Sequence, residues 1–181
     1  MTLIRVFISV PIPDTSPLEG VLGDLGTVKG VKVSPRSQLH VTLRFIGDVD
    51  DRKVPRIIKA VEDAMEGMEP FTVSLGGVGT FPPRGNPRVV WVGLEPEGLL
   101  KGVSERISAN LRDVNIRFDE KPFKGHVTIG RCNGPVDLSG FLERHGGETF
   151  LEFECSEVMI MKSILDRSGA THVSIGRVEI G

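Results

Sequence analysis

The sequence predicts an α+β fold in two lobes, each a small antiparallel sheet backed by helices. Three observations predict it. The tetrapeptide His-Val-Thr-hydrophobic occurs twice, as His40-Val41-Thr42-Leu43 and His126-Val127-Thr128-Ile129, 86 residues apart in a chain of 181. A helical pattern follows each copy, so the second half reads as a duplication of the first around a pseudo-two-fold axis. No low-complexity segment or flexible linker separates the halves. Residues 1–181 are therefore expected to form one domain of two interleaved lobes that fold as a unit.

The elements follow in order. Leu3–Val10 alternates as a strand, with Ile4, Val6, Ile8 and Val10 on one face and Arg5 and Ser9 on the other. Pro11 and Pro13 end it. Asp14, Thr15 and Ser16 offer helix caps, Pro17 suits a first turn, and Leu18, Val21, Leu22 and Leu25 form a helical stripe. Val31–Val33 predicts a brief strand. The first histidine strand, Leu39–Ile46, is expected to close at Gly47-Asp48. Val54, Ile57, Ile58, Val61 and Met65 then mark a second helix behind Asp50 and Asp51. Phe71–Leu75 and Val78–Phe81 predict a strand broken by a bulge or turn at Gly76-Gly77. It pairs with Val89–Leu94 across the Pro82–Pro87 loop. Leu100, Val103, Ile107 and Leu111 stripe a third helix over Glu95–Asn110, and Leu138, Phe141 and Leu142 a short fourth. Glu148–Phe153, Glu157–Asp166 and Ala170–Ile180 predict the remaining strands, the last two joined by the Arg167-Ser168-Gly169 turn.

Composition excludes several classes. No apolar run approaches the ~20 residues that cross a bilayer, and the start leads directly into strand-like sequence with no room for a signal peptide. A cytoplasmic location with no membrane partner is expected. Cys132 and Cys155 are too few for a disulfide scaffold, and Cys155 reads as a packing residue. A formal net charge of −2 argues against coating a long duplex. It confines nucleic-acid contact to a local groove that reads an end or a few nucleotides.

The repeated motif carries the chemistry. In a strand, residues i and i+2 share a face, so His40 projects with Thr42, and His126 with Thr128. A lone strand histidine is more often structural, but two in matching contexts point to paired proton transfer. An imidazole with an ordinary pKa near 6.5 can accept a proton while its partner donates one. Phosphodiester hydrolysis needs that pairing, and the threonines could hold non-bridging oxygens. The other candidates have duller readings. His145 ends a helix whose dipole suits an imidazolium. His172 faces either groove or solvent. Trp91 is expected in the core, and Phe45 alternates to the core side with Val41 and Leu43. Arg84 and Arg88 flank a solvated loop, whereas Lys121 and Lys124 stand where they could attract phosphate. No metal-ligand spacing, Walker-type or Rossmann glycine pattern occurs.

With these motifs the chain resembles the 2H phosphoesterase superfamily, and within it the RNA 2′,3′-cyclic phosphodiesterases once called 2′-5′ RNA ligases. Arg5–Val10, His40–Gly47 and Phe123–Arg131 carry the resemblance, which spans essentially the whole chain. It implies a bilobal fold with a central groove holding both motifs, no cofactor, and metal-independent conversion of a cyclic end to a 2′-phosphate. It further implies His40 as general acid, His126 as general base, Thr42 and Thr128 as phosphate ligands, and Arg131 as a substrate ligand. Regular alternation would turn Arg131 away from His126, so that role requires the strand to twist or end near Gly130. Two departures stand out: Gly125 replaces the usual proline, and Thr171-His172 follows Gly169-Ala170 where an aromatic is common, in a chain without tyrosine.

The expected partners are RNA ends bearing a 2′,3′-cyclic phosphate, tRNA fragments among them, acted on by a monomer. The competing readings are reversible 2′-5′ RNA ligation, a non-catalytic RNA-end binder, and a metallohydrolase. Retention of both histidines argues against mere binding, which arginine or lysine would serve.

Overall fold

The computed structural model describes residues 1–181. In chain order the strands and helices are β1 Leu3–Pro11, α1 Glu19–Gly26, β2 Val31–Val33, β3 His40–Asp50, α2 Val54–Met65, β4 Phe71–Phe81, β5 Val89–Glu95, α3 Glu97–Asp113, β6 His126–Cys132, α4 Ser139–His145, β7 Thr149–Cys155, β8 Glu157–Asp166 and β9 Gly169–Glu179. They build two antiparallel sheets, one ordered β3-β1-β8-β9 and the other β2-β6-β5-β4-β7. The expected α+β class with two antiparallel sheets is what the chain adopts.

The halves are more entangled than the expectation that each supplies its own sheet. The late hairpin β8–β9 completes the sheet begun by β1 and β3, and the early strand β2 edges the other sheet beside β6. The helices exchange as well. α1 packs on β2 and α4, whereas α3, from the second half, packs on β3 and α2. The apolar stripes explain where each helix docks: Val21, Leu22 and Leu25 of α1 are buried, as are Leu100, Val103, Ile107 and Leu111 of α3. One contiguous apolar cluster runs through both lobes and includes Val41 and Val127.

Several boundaries differ from the sequence reading. β3 does not close at Gly47. Gly47 takes φ +88°, a left-handed conformation that glycine adopts without a side-chain clash, and the strand runs on to Asp50. Asp50 then accepts a hydrogen bond from the Arg52 N–H and caps the turn before α2. α3 starts at Glu97, two residues later than expected. Gly76-Gly77 forms a bulge inside β4 and not a turn. β1 is covered on both faces, with Phe7 and Ser9 buried as well as Val6 and Ile8: Val6 and Ile8 lie in the core, and Phe7 packs against the His40 and His172 rings.

His145 has a stronger partner than the helix dipole. Its Nε2 lies 2.6 Å from Asp24 Oδ2 and its Nδ1 2.6 Å from Glu148 Oε2, tying α4 to α1 and to the turn before β7. Burial disfavours the imidazolium, but the hydrogen bonds to Glu148 and Asp24 outweigh it and raise the pKa above its ordinary value. The bonus is then fully present below about pH 6.5 and is lost as pH rises through the raised folded pKa. We expect calorimetry to give a single unfolding transition, since one core spans both lobes. His145→Gln should cost about 1 kcal/mol at pH 6, or roughly 3 °C in a chain of this size. The deficit should shrink towards pH 9; a pH-independent deficit would assign His145 a packing role only.

Candidate active site

The two motif strands meet between the sheets. His40, Thr42, His126 and Thr128 turn to one side and are partly exposed, while Val41, Leu43, Val127 and Ile129 are buried on the other. The period-two reading of the motif is correct as far as the threonine. Beyond it both strands break alternation at the same point. In β3, Ser9 stands opposite Thr42 but Ile8 opposite Arg44, leaving Leu43 as an extra residue. In β6, Trp91 stands opposite Thr128 but Val90 opposite Gly130, leaving Ile129 as the extra one. These are β-bulges at equivalent positions, and each exchanges the faces of the residues that follow, in β3 as far as a second irregularity at Ile46.

The bulges decide three residues. Arg131 turns to the same side as His126, so its expected place beside the phosphate needs no end to the strand. Phe45, expected in the core, instead faces the groove and is 40% exposed. Arg44 is driven inward, 8% exposed. Its guanidinium donates to the carbonyls of Asp119 (3.1 Å) and Lys121 (2.7 Å) and to Ser104 Oγ (2.9 Å). The equivalent position in β6 is Gly130, where a Cβ would come within 2.9 Å of Leu25 and 3.0 Å of Val31. Glycine there lets α1 and β2 close on the sheet.

Each bulge frees a backbone carbonyl, and each is satisfied from the other half of the chain. Ser104 Oγ of α3 donates to Leu43 O at 2.6 Å. The Ser34 N–H, just after β2, donates to Ile129 O at 2.9 Å.

Both histidines are held in one tautomer. His40 Nδ1 lies 2.6 Å from Gln38 O, and His126 Nδ1 2.7 Å from Lys124 O. A carbonyl oxygen only accepts, so each Nδ1 carries hydrogen and each Nε2 is left to exchange a proton. His40 Nε2 lies 3.0 Å from Thr42 Oγ1. Both motif histidines and both threonines line a cavity of about 150 Å³ together with Arg131, His172, Ser34 and Gln38. The lining contains no carboxylate and no apolar side chain, and Arg131 is its one permanent cation. The cavity suits a small anion. No group of three or more His, Cys, Asp or Glu side chains is placed to hold a metal ion.

Burial sets the protonation. It pushes the His40 imidazole down to about 4, assisted by repulsion from His172 and His126. Burial also lowers His126, with Lys124 and Arg131 adding to it, and lowers His172. His172 faces the groove, resolving its two readings. Its ring meets His40 edge-on at 5.3 Å, and Phe7 packs on both rings at 4.9 Å. Gln38 Nε2 donates to Ala170 O and ties the β8–β9 hairpin to the first motif. The sequence does not fix the side His172 takes, because its orientation depends on how β9 pairs with β8.

Around His126, Phe81 packs edge-on at 5.1 Å and also leans on Trp91 at 5.5 Å. Trp91 is not a core residue. It stands beside Thr128 on the motif side, half-buried over Gly79, where a Cβ would collide with the indole. Gly125 donates its N–H to Glu97 Oε1 at 3.2 Å, and a Cβ there would meet Leu94 at 2.8 Å. Proline would lose the bond and crowd the leucine.

Ser104→Ala leaves Leu43 O and an Arg44 nitrogen unpaired in a buried site, at an expected cost of about 2 kcal/mol. Chemical denaturation checks it, and a loss under 0.5 kcal/mol, roughly the scatter of a neutral surface substitution, would show that the bulge needs no such partner.

Comparison with known proteins identifies the family. Residues 14–167 match the family model of the 2′-5′ RNA ligase superfamily. An RNA 2′,3′-cyclic phosphodiesterase of Archaeoglobus fulgidus is 33% identical over 168 residues, 91% of this chain and 94% of its own. One from Methanocaldococcus jannaschii is 28% identical over 173 residues, with the same coverage. A crystal structure of a Thermus thermophilus protein superposes with a TM-score of 0.83 at 27% identity, covering 98% of both chains. Escherichia coli LigT in complex with 3′-AMP superposes with a TM-score of 0.80 over 99% of both chains, and at 18% identity it speaks to the fold alone. The chain belongs to the 2′-5′ RNA ligase superfamily.

Proposed function

We propose that this protein hydrolyses RNA ends bearing a 2′,3′-cyclic phosphate to a 2′-phosphomonoester, without a metal ion, using the two His-x-Thr motifs. The observation that carries this reading is the all-polar cavity in which two histidines, each held through Nδ1, line the same small volume beside one arginine. The names of the relatives, RNA 2′,3′-cyclic phosphodiesterase, support the substrate and the type of bond cleaved.

Each residue then has a task. Thr42, Thr128 and Arg131 bind the non-bridging oxygens, Arg131 supplying the charge that matches a phosphodiester monoanion. His126 Nε2 takes a proton from water as its oxygen attacks phosphorus. The bond from phosphorus to O3′ breaks, and His40 Nε2–H delivers its proton to that oxygen. The 2′ ester remains and the pair of rings ends with its single proton exchanged. The asymmetry of burial supports this division of labour. A deeply depressed His40 is a strong acid when protonated, which suits a leaving alkoxide, and a bound phosphate anion draws the proton to it. His172, edge-on to His40, positions that ring. We further propose that RNA fragments such as those of tRNA are the physiological ends, and that the protein acts as a monomer.

A short RNA ending in a 2′,3′-cyclic phosphate, given to the protein with EDTA present, should yield a 2′-phosphate. His40→Ala and His126→Ala should each lower kcat by at least roughly 100-fold, and Arg131→Ala should act mainly on KM. Formation of a 3′-phosphate, or EDTA-sensitive turnover, would overturn the mechanism. Undiminished RNA binding without turnover in the wild type would make the protein an RNA-end binder.

The pH profile follows from the lowered pKa values. The productive free enzyme holds one proton on the histidine pair, and both rings titrate below 6.5. Accordingly kcat/KM should peak on the acid side of pH 6.5 and fall towards tenfold per pH unit above neutrality. The fall in kcat should come at higher pH, because the bound phosphate raises both groups. A profile of kcat/KM still rising above about pH 7.5 would contradict singly protonated catalysis.

A further inference from the structure

Beside the phosphate cavity, on the His126 side, lies a second pocket of about 360 Å³, lined by Thr42, Phe45, Lys121, Phe123, Lys124 and His126 among others. We propose that this pocket is a second nucleotide subsite, in which Phe45 stacks on a base and Lys121 and Lys124 neutralise the adjoining phosphodiester.

Geometry supports the assignment first. With His126 activating water and His40 protonating O3′, in-line displacement puts the reacting nucleoside on the His40 side of phosphorus. That nucleoside leaves the opposite pocket free, and a water molecule needs almost none of its volume. The inference rests on the hydrolytic reading in this respect.

The lining is suited to single-stranded nucleic acid. The Leu43 bulge turns Phe45 out of the core onto the groove, at the position where the second motif carries Arg131. One copy of the duplicated strand thus offers a guanidinium to the phosphate and the other offers a phenyl ring at its mouth. Lys121 is 87% exposed at its side chain, and its nearest carboxylate is Asp119 at 4.0 Å. Lys124 Nζ lies 5.1 Å from the centre of the Phe81 ring. Aromatic rings interleaved with cations bind successive bases and phosphates with little sequence preference. In a chain of net charge −2 such a cluster is a local exception.

The pocket is also prebuilt. Arg44 pins the carbonyls of Asp119 and Lys121, and the Asp119 N–H donates to Phe45 O at 2.8 Å. The lysine loop and the phenylalanine strand are therefore joined before any ligand arrives, which lowers the ordering cost of binding.

The occupant has two possible sources with one chemistry: a preceding nucleotide of the reacting strand, or the 5′ end of a separate strand. The test compares wild type with Phe45→Ala/Lys121→Ala. A labelled tetranucleotide with hydroxyl ends should bind the wild type and lose about tenfold in affinity in the variant, by anisotropy. If the occupant is the preceding nucleotide of the reacting strand, kcat/KM for a tetranucleotide 2′,3′-cyclic phosphate should fall about tenfold in the variant, while that for the mononucleotide 2′,3′-cyclic phosphate stays within about twofold. Inhibition of mononucleotide turnover by the hydroxyl-ended strand, without competition for the mononucleotide, assigns the pocket to a separate strand. An oligonucleotide advantage without such inhibition assigns it to the same strand. Equal binding by wild type and variant overturns the subsite, as does a parallel loss on both substrates. If neither cyclic substrate turns over, the hydrolytic reading fails, and the binding arm still decides the subsite.

Discussion

The site depends on one backbone irregularity used twice. After each His-x-Thr, a single apolar residue, Leu43 or Ile129, is added to the strand without a partner opposite. The bulge keeps the histidine and threonine on the groove while sending the next two residues to the core. It then returns Phe45 and Arg131 to the groove. Its cost is a freed carbonyl in a buried place, and the fold meets that cost by interleaving. Ser104 of α3 reaches one carbonyl and the backbone of Ser34 reaches the other, so each half of the chain completes the bulge of its counterpart.

This coupling gives the exchanged helices and strands a chemical meaning. α3 does more than cover β3, since Ser104 and the Arg44 network fix the strand that carries His40 and Thr42. Gly130, where the first copy has Arg44, admits Leu25 and Val31 close to β6. The two motif strands thus differ at one equivalent pair of inward positions, a buried guanidinium on one side and bare backbone on the other. The outward pair, Phe45 and Arg131, differs in the same manner. The two mouths of the groove therefore have different chemistry even though the motifs are nearly identical.

Electrostatics follows from packing as well. A backbone carbonyl two residues upstream holds each imidazole, which fixes the tautomer without placing a charge beside the ring. Phe7 and His172 then crowd His40 and deprive it of solvent, so its pKa falls to about 4, further than a strand-surface histidine would. An all-polar cavity with a single arginine suits a small anion, whose charge would favour the protonated form of the rings that burial disfavours.

What the sequence determined by itself was local. Apolar spacing specified the helices and most strands, since burying one stripe or one face is a property of consecutive residues. The repeated motif named both histidines and both threonines, because i and i+2 share a face in any strand, and its flanks carried the family resemblance. The face taken by Phe45, Arg44 and Arg131 could not be read, because a bulge exists only in relation to a partner strand. The same holds for His172, whose orientation comes from pairing between β9 and β8, and for Trp91, which leaves the core to lie over Gly79. The exchange of helices between lobes lay equally beyond reach, as apolar stripes state that a face is buried but not against what. Only long-range contacts decide those questions, and in this protein they decide which side chains line the cavity between the motifs.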